Sequence, residues 1–470
     1  MKKIIFLILI ISAVSLPAQE EKPQTGIIKQ NEFMELVLKK APEIVMEKLS
    51  VESDKINVKS ASAGDDVSLS AGSSYFGKEY DSTASQSGLS GTNGFNNYAS
   101  VSKKFSGTGT QLTGTMNYNT SVSEYANGSE TELYSPSATV SMRQPLLNNF
   151  FGKVDRYSKK SAQTDYEISK LNYSIKEKQV IDYYSALYLE WIIYRRIAAY
   201  NAENTEKAAG LYTQTQRKFN ARLAENDDLQ KAYSSLLANR QSLETSRLKL
   251  TEIENEIFNV TGLTDIIPDE KYLDEIYKAA DSEKYENVDF SKTLNYRIMN
   301  MTLEKLLLST ETSENGTLPD FDIIASLTRK DSDDVNSQAW DFDKTEYTIG
   351  FEFSYKFGNN SSEAAYEKAV NSLEIYRETV KQTETDYRIS LDDTLKGIQT
   401  YKKIIDYQEK NLAALQSALA TERKKYAQAR ITLSNVISTE NSIASMRTSI
   451  LNSKMILVNY YLRYQTLIRQ

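Results

Sequence analysis

The chain has 470 residues, enough for two or three ordinary domains or for one large elongated one. It contains no cysteine and no histidine, which excludes a lipid-modified N-terminal cysteine and any nucleophile that depends on a Ser–His or Cys–His pair. Its formal net charge is −7, or −9 once Lys2 and Lys3 are removed, which argues against a nucleic-acid partner.

The N-terminus has the pattern of a secretory signal peptide over residues 1–18. Residues 1–3 include two lysines, residues 4–16 are apolar, and Ala18 is a small residue before a polar stretch. We expect cleavage after Ala18. The apolar run is too short to remain in a bilayer as a helix, and no later stretch is apolar enough to cross one. Insertion into a membrane is therefore expected only through β-strands.

A first repeat is predicted over residues 19–262. It begins with a helix, continues with barrel strands at about 65–147 and ends with a helical pair at about 153–262. The pair reverses near residues 221–226, and no proline interrupts it. A limb of roughly 65 residues is about 100 Å long, which suits a tall tube better than a compact domain.

The strands of the first repeat are weakly patterned. Apolar and polar residues alternate at 67–76, 112–118 and 137–142. Residues 81–97 are rich in Ser, Gly, Thr and Asn and are predicted to form an external loop. The turn at 106–109 predicts an additional hairpin, which is either two more barrel strands or a side hairpin.

A second repeat is predicted over residues 263–470. It contains an equatorial segment and helix at about 263–317, barrel strands at about 319–358 and a helical pair at about 361–470. This pair reverses near residues 429–432. It is again free of proline, so both repeats predict the same order of strands followed by long helices.

The clearest strand pattern lies in the second repeat. This alternation is the signature of an outer-membrane barrel, although a half-buried soluble sheet alternates in the same way. The signal peptide and the adjoining long helices favour the barrel. Residues 330–343 are polar and acidic and are predicted to be the loop between two strands. The predicted apolar faces are Tyr347, Ile349, Phe351, Phe353, Tyr355 and Phe357 on one strand and Phe321, Ile323, Ala325 and Leu327 on its partner.

Two heptad seams relate the two halves by a constant offset of 207 residues. Every position is apolar except Thr394. Heptad spacing of this length predicts helices packed as coiled coils, and the shared offset predicts an internal repeat. One seam is Leu229, Leu236, Leu243, Leu250 and Ile257 with Val436, Ile443, Ile450, Leu457 and Tyr464; the other is Tyr166, Tyr173, Val180 and Leu187 with Leu373, Val380, Tyr387 and Thr394.

Several short patterns, in this order and spacing, resemble the TolC-like outer-membrane efflux family over essentially the whole mature chain. They occur where strands and helices join and where the long helices reverse. The junction patterns are Gln144-Pro145-Leu146-Leu147, Phe357-Gly358-Asn359-Asn360, Leu318-Pro319-Asp320-Phe321 and Ala63-Gly64-Asp65-Asp66, the last without the family's proline. The turn patterns are Lys218-Phe219-Asn220-Ala221-Arg222-Leu223-Ala224 and Lys425-Tyr426-Ala427-Gln428-Ala429.

The resemblance implies an α+β membrane protein with two internal repeats. Three protomers would complete one β-barrel in the lipid of the outer membrane, and their long antiparallel helices would form a coiled-coil helical barrel in the periplasm. Such a homotrimer is a passive conduit for efflux or type I secretion, opened by a periplasmic adaptor protein and an inner-membrane pump of RND or ABC type. Drug efflux, protein secretion and metal export all stay open, because the pump decides the cargo.

The two helical turns carry the candidate adaptor contacts. The family places glycine three residues after the aromatic residue of each turn, where this chain has Arg222 and Ala429. Because glycine relieves a left-handed turn, its absence leaves the geometry of both turns open. Arg222 and Arg430 either contact the adaptor or are ordinary solvated residues. The candidates are Lys218, Phe219, Arg222, Leu223, Lys425, Tyr426, Ala429 and Arg430.

The candidate gate residues lie at the same two turns. Relatives narrow the mouth of the tunnel with acidic residues just past the second turn, but the matching positions here are the uncharged Asn435 and Ser438. The first turn carries Glu225, Asp227 and Asp228. These acids either line the mouth or, in the case of Asp227 or Asp228, cap the returning helix.

No catalytic, cofactor or metal site is predicted. The carboxylate pairs Asp333-Asp334 and Asp392-Asp393 fall in a predicted loop and on a charged helix face, so neither indicates acid–base chemistry. One alternative to a channel is a trimeric envelope stalk without an open pore. Another is a secreted or surface enzyme, which the lack of histidine and cysteine disfavours.

Overall fold

The computed structural model describes residues 26–80, 88–428 and 430–469. The predicted signal peptide, residues 81–87 of the predicted loop and Ala429 lie outside the described residues. Across those ranges, none of the helices combines the length and the apolar character needed to cross a membrane. The elements are β1 (Gly26–Ile28), α1 (Gln30–Lys40), α2 (Pro42–Ala61), β2 (Val67–Glu79), β3 (Leu89–Phe105), β4 (Thr110–Tyr125), β5 (Glu130–Pro145), α3 (Lys153–Asn220), α4 (Asn226–Thr261), β6 (Ile266–Pro268), α5 (Lys271–Ser282), α6 (Leu294–Asn315), β7 (Asp320–Lys330), β8 (Lys344–Ser354), α7 (Asn360–Ala427) and α8 (Leu433–Arg469).

These elements form two compact units. Each unit takes residues from both predicted repeats, so the contacts divide the chain differently from the repeats, whose boundaries stay a prediction. The first unit comprises the described residues within 1–42, 179–285 and 394–465, and the second those within 43–178, 286–393 and 466–470.

The long helices have matched lengths. Helices α3 and α7 both contain 68 residues and begin 207 residues apart, while α4 has 36 residues and α8 has 37. The predicted seams run along these helices, and most seam positions are buried, Leu236 and Leu457 among them. Thr394, the polar position of the seams, is fully buried as well. The heptad spacing therefore marks the packed face of each helix.

The first unit is organised around Tyr188 on α3. Its hydroxyl donates to the Ile28 carbonyl oxygen of β1 (2.7 Å) and accepts from the Asp269 N–H, which directly follows β6 (2.8 Å). Strands β1 and β6 are parallel neighbours, so one hydroxyl holds both strands to the helix. The Phe33 ring of α1 packs 5.3 Å from the Tyr188 ring, centroid to centroid. Burial raises the pKa of Tyr188 to about 12, so the hydroxyl keeps its proton at neutral pH.

The second unit contains a six-stranded antiparallel sheet in the order β2-β3-β4-β5-β7-β8. The turn at residues 106–109 joins β3 to β4 inside this sheet, so the additional hairpin contributes two strands and is not a side hairpin. Within the described residues, β2 and β8 each have a strand neighbour on one side only. The sheet is open at both edges, where backbone groups need further partners.

One predicted loop is wrong in part. Residues 89–97 are the first half of β3 and pair with both β2 and β4. Side-chain hydrogen bonds compensate for the weak apolar alternation there. Ser73 donates to Asn97 Oδ1 (2.6 Å), and Asn97 Nδ2 donates to the Tyr118 carbonyl oxygen (3.0 Å). A polar composition is therefore compatible with a strand in this sheet.

The ends of β7 and β8 also differ from the prediction. Lys330, placed in the loop by its polar surroundings, is the last residue of β7. Strand β8 ends at Ser354, so Tyr355 and Phe357 do not continue its apolar face. Gly358 has φ 90°, which turns the chain towards α7.

The start of α3 is fixed to the turn between β3 and β4. Gly152 has φ 64°, and a Cβ built on it would lie 2.0 Å from the Ser106 carbonyl oxygen. The Ser106 N–H donates to Asp65 Oδ1 (2.8 Å), and Asp65 also pairs with Lys159 of α3. The hydrogen bond from Lys159, followed by that from Ser106, holds the pKa of Asp65 well below its usual range. Because the Ser106 carbonyl oxygen lies so close to its backbone, position 152 requires glycine.

We predict that Gly152→Ala lowers the melting temperature of the detergent-solubilised protein. A non-glycine residue in this backbone region costs about 1–3 kcal/mol, and the contact with Ser106 adds to that cost. The matched control is Gly107→Ala in the facing turn, where a Cβ meets nothing within 4 Å. Equal melting temperatures for the two variants would contradict the assigned close approach.

Candidate functional site

The six-stranded sheet has two faces of opposite character. Strand register places apolar residues of all six strands on one side, here called the apolar face, and mainly Ser, Thr and Asn on the other, here called the polar face. The predicted partner of the aromatic strand is correct, because Phe321 lies opposite Phe353 and Ile323 opposite Phe351. Other members of the apolar face are Leu69, Val101, Met116, Val140, Leu327 and Ile349.

The apolar face is strongly exposed on the single chain. Tyr347, Ile349 and Phe351 are 80%, 75% and 69% exposed. The rings of Phe321 and Phe351 stack with their centroids 5.7 Å apart, which extends the aromatic surface across two strands. Soluble monomers rarely expose a continuous apolar surface of this kind. The face is therefore built for an apolar environment.

The polar face carries short uncharged side chains that bond across strands. The hydroxyls of Thr139 and Thr328 lie 2.9 Å apart. One cluster of charged side chains lies around Arg143, whose Nε and Nη2 donate to Asp322 Oδ2 (2.8 and 2.5 Å) and whose Nη2 lies 3.3 Å from Glu352. A surface of hydroxyl groups and paired charges can line a water-filled space without a strong electrostatic potential of either sign.

The first helical turn closes without glycine. The Leu223 N–H donates to the Lys218 carbonyl oxygen (2.8 Å) and the Arg222 N–H to the Phe219 carbonyl oxygen (2.9 Å), the two bonds of a Schellman motif. Arg222 takes the left-handed position with φ 65°. Leu223 is 77% exposed, so the turn presents an apolar side chain beside the arginine.

Neither Asp227 nor Asp228 occupies the N-cap position of α4, so the capping alternative for these two residues is wrong. The N-cap position is held by Glu225, whose side chain makes no capping hydrogen bond, and α4 begins at Asn226. Asp227 and Asp228 lie in the first helical turn, where negative charge favours the helix dipole. Asp227 Oδ2 lies 2.6 Å from Lys231 Nζ, and this hydrogen bond raises the pKa of Lys231. Glu225 and Asp227 are exposed at the end of the helix.

The second turn uses a corresponding backbone bond. The Arg430 N–H donates to the Lys425 carbonyl oxygen (2.9 Å). Thr432 precedes α8, and its hydroxyl donates to Asn435 Oδ1 (2.7 Å). Asn435 and Ser438 are both exposed and lie one turn apart on the same helix. Asn435 thus helps to fix the start of α8, while the pair presents an uncharged surface.

Residues of the two turns meet in the first unit. Lys218 Nζ lies 4.8 Å from the centroid of the Tyr426 ring and 3.4 Å from its hydroxyl oxygen. Ala232, Leu433 and Ile437 form a buried cluster, against which Tyr426 also packs. The structure thus brings together two predicted candidates from different turns. The sequence patterns describe each turn alone and do not predict this contact.

One ion pair near the turns is not predicted by any pattern in the sequence. Arg423 Nη2 of α7 lies 2.6 Å from Glu440 Oε1 of α8. The two residues are 17 positions apart, whereas spacing rules for one helix relate positions three or four apart. Only the packing of α7 on α8 creates the pair.

The chain is similar in fold to several proteins of known structure. No protein-family model matches the chain, and no curated protein matches it. One of the proteins of similar fold is CusC, which is known to form a transmembrane channel. It aligns with a TM-score of 0.69 at 12% identity, covering 95% of this chain and 94% of CusC. The outer membrane protein VceC from Vibrio cholerae aligns at 0.64 and 12% identity, covering 94% of this chain and 96% of VceC.

A third match is the outer membrane channel CmeC of Campylobacter jejuni. It has a TM-score of 0.63 and 12% identity, and the alignment covers 96% of this chain and 90% of CmeC. Likeness at such identity establishes the fold. The chain has the fold of outer-membrane channel proteins, and the resemblance predicted from its junctions and turns is confirmed at that level.

We predict that Arg222→Gly slows amide hydrogen exchange at the first turn and that Arg222→Val speeds it. Glycine removes the steric cost of about 1–2 kcal/mol that a side chain adds in the left-handed conformation. It loses more conformational entropy on folding, which offsets about 0.5–1 kcal/mol of that gain. A β-branched side chain is strained at this position. Mass spectrometry of peptides covering residues 218–226 reports the change, with peptides from β8 as the control. Faster exchange in Arg222→Gly would contradict the assigned geometry.

Proposed function

We propose that the chain is the outer-membrane channel of a tripartite efflux or type I secretion system, a passive trimeric conduit from periplasm to exterior and not an enzyme. The two-faced sheet is the observation that carries the proposal. An apolar face across six strands and a hydroxyl-lined opposite face fit a barrel with lipid outside and water inside. The fold shared with CusC, VceC and CmeC supports an outer-membrane location.

A homotrimer would close the open sheet. Barrels of about eight strands are just filled by their own side chains, so a six-stranded sheet cannot enclose water by itself. Three copies would contribute about eighteen strands, in the range of barrels that hold an aqueous channel. Pairing β2 of one copy with β8 of the next would satisfy both edges, and outer-membrane lipid would cover the apolar face.

The long helices would form the periplasmic part of the conduit. The equal lengths and common offset of α3 and α7 support two copies of one repeat unit. The two helical turns would form the periplasmic mouth, and their exposed side chains would meet an adaptor. An inner-membrane pump of RND or ABC type would supply the energy, since repacking of helices can widen a mouth without unfolding them.

Single-channel recording in planar lipid bilayers tests the proposal. A channel gives discrete conductance steps, whereas an envelope stalk without an open pore gives none. Because the resting mouth restricts flow, the parent is measured beside a variant with Asn435→Asp and Ser438→Asp. Absence of steps from both proteins would contradict the proposed conduit.

We predict that Phe351→Arg reduces assembly into the outer membrane. An arginine on the lipid face of a barrel costs about 2–4 kcal/mol at mid-bilayer. The matched control is Thr348→Arg on the polar face of the same strand, which leaves the charge in water. Heat-modifiable mobility on gels and the membrane-inserted yield report assembly. If the two variants assembled equally well, the apolar face would not face lipid.

We predict that Asn435→Asp with Ser438→Asp raises conductance or cation selectivity. Six added carboxylates around a threefold axis would repel one another, loosen the mouth and concentrate cations. The effect should weaken as salt rises, because exposed charges are screened beyond about 10 Å at 0.1 M.

The control for this pair is Asn411→Asp with Ser417→Asp at exposed positions of the neighbouring helix α7, farther from the second turn, where the same charge should change neither quantity. If the Asn435 and Ser438 variant also left low-salt conductance and selectivity unchanged, those residues would not line the mouth. The gate would then lie at Glu225, Asp227 and Asp228.

A further inference from the structure

The apolar face contains a groove crossing four strands. Two neighbouring rows of the register form it: Ala99, Met116, Ala138 and Arg329 in one row, and Val101, Gly114, Val140 and Leu327 in the next. Ala99, Gly114 and Ala138 are small, so they leave a trough between larger neighbours. The groove has a volume of about 540 Å³.

A rim of aromatic residues lies along one side of the groove. The loop between β7 and β8 brings Phe342 onto the groove. Trp340 stacks on Tyr118 of the apolar face with centroids 5.3 Å apart and contacts the Phe342 ring at 5.9 Å. Asn336 Oδ1 accepts from both the Tyr118 hydroxyl (2.9 Å) and Trp340 Nε1 (3.3 Å). The rim is therefore a fixed structure, held by ring contacts and one shared acceptor.

Arg329 places a positive charge on this apolar surface. It lies directly opposite Ala138 in the register and is exposed. Among the described residues, no carboxylate forms an ion pair with it. Arg143 and Lys330 of the same sheet point to the polar face, and they pair with Asp322 and Glu346. A cation on a membrane-facing apolar surface is stabilised by an anion that is itself part of the membrane.

We propose that this groove binds an anionic phospholipid, with an acyl chain in the trough and the phosphate at Arg329. The proposal rests on the proposed membrane orientation of the sheet. The positive charge of Arg329 favours an anionic head group, and the small residues leave room for an acyl chain that lies flat against the sheet. Trp340 and Tyr118 sit beside the groove with polar atoms directed to Asn336, as aromatic residues do where lipid meets water.

Quenching of Trp340 fluorescence by brominated lipid tests the site. The chain has two tryptophans, and Trp191 is 1% exposed in the first unit while Trp340 is 38% exposed. The protein is reconstituted with brominated phosphatidylglycerol or brominated phosphatidylcholine at equal mole fraction. A Trp340→Phe variant gives the background from Trp191, so no substitution in a buried core is needed.

Phosphatidylglycerol should occupy the site about fivefold more favourably, the effect of roughly one basic residue at an anionic lipid surface. Arg329→Gln should abolish this preference, and Arg329→Lys should retain it. The control Lys330→Gln alters the neighbouring cation on the polar face and should leave the preference unchanged.

Filling the trough gives an independent variant. Gly114→Leu should reduce the preference, because its side chain enters the groove and a Cβ there meets nothing within 4 Å. Its control is Gly77→Leu, also with open space and on the apolar face of β2 outside the groove.

Two results would overturn the inference in distinguishable ways. Strong and equal quenching by both lipids would place the face in the bilayer without an anionic site, and the proposed function would stand. Absence of quenching by either lipid would mean that the face does not contact lipid, which would overturn the proposed function as well.

Discussion

Among the described residues, β2 and β8 each leave the backbone groups of one edge without a strand partner, and this constrains how the protein can assemble. An open sheet edge is a template for further pairing, and in a membrane each unsatisfied N–H or C=O group costs several kcal/mol. The sheet already has an apolar face and a polar face that extend across six strands. Pairing of its edges with further copies of the sheet would make both faces continuous. In the proposed trimer, pairing of the edges would therefore complete the lipid-facing surface and the water-lined surface at the same time.

The connections to the helices are as constrained as the sheet. At the start of α3, Gly152 lies so close to the Ser106 carbonyl oxygen that a side chain would not fit, and Asp65 ties the same turn to Lys159. In the first unit, the Tyr188 hydroxyl holds β1 and the residue after β6 to α3. These contacts use polar groups with defined geometry, and both of them position α3.

Periodic features were predictable from the sequence because burial repeats along a regular element. The heptad seams mark buried positions such as Leu236 and Leu457, and the period-2 pattern of β8 gives both its face and its partner strand. The first half of β3 was not predictable, because cross-strand bonds such as that from Ser73 to Asn97 replace apolar alternation.

The candidate site was predictable only in position. The patterns locate both turns, but the N-cap at Glu225 and the left-handed Arg222 depend on backbone geometry that no residue type dictates. The contact between Lys218 and Tyr426 depends on packing between distant segments. The faces of strands follow from local alternation, whereas bonds between elements require the folded chain.

Disulfide cross-linking between sheet edges tests whether three copies close one barrel, and the sequence has no cysteine to interfere. Cysteine at Ser70 on the polar face of β2 is combined in turn with cysteine at Thr348, Gly350 or Glu352 on the polar face of β8. If three copies close the sheet, at least one pair forms oxidised species on denaturing gels that end at the trimer. Cross-links within single chains, or a ladder that continues beyond three chains, would contradict closure of the sheet by three copies.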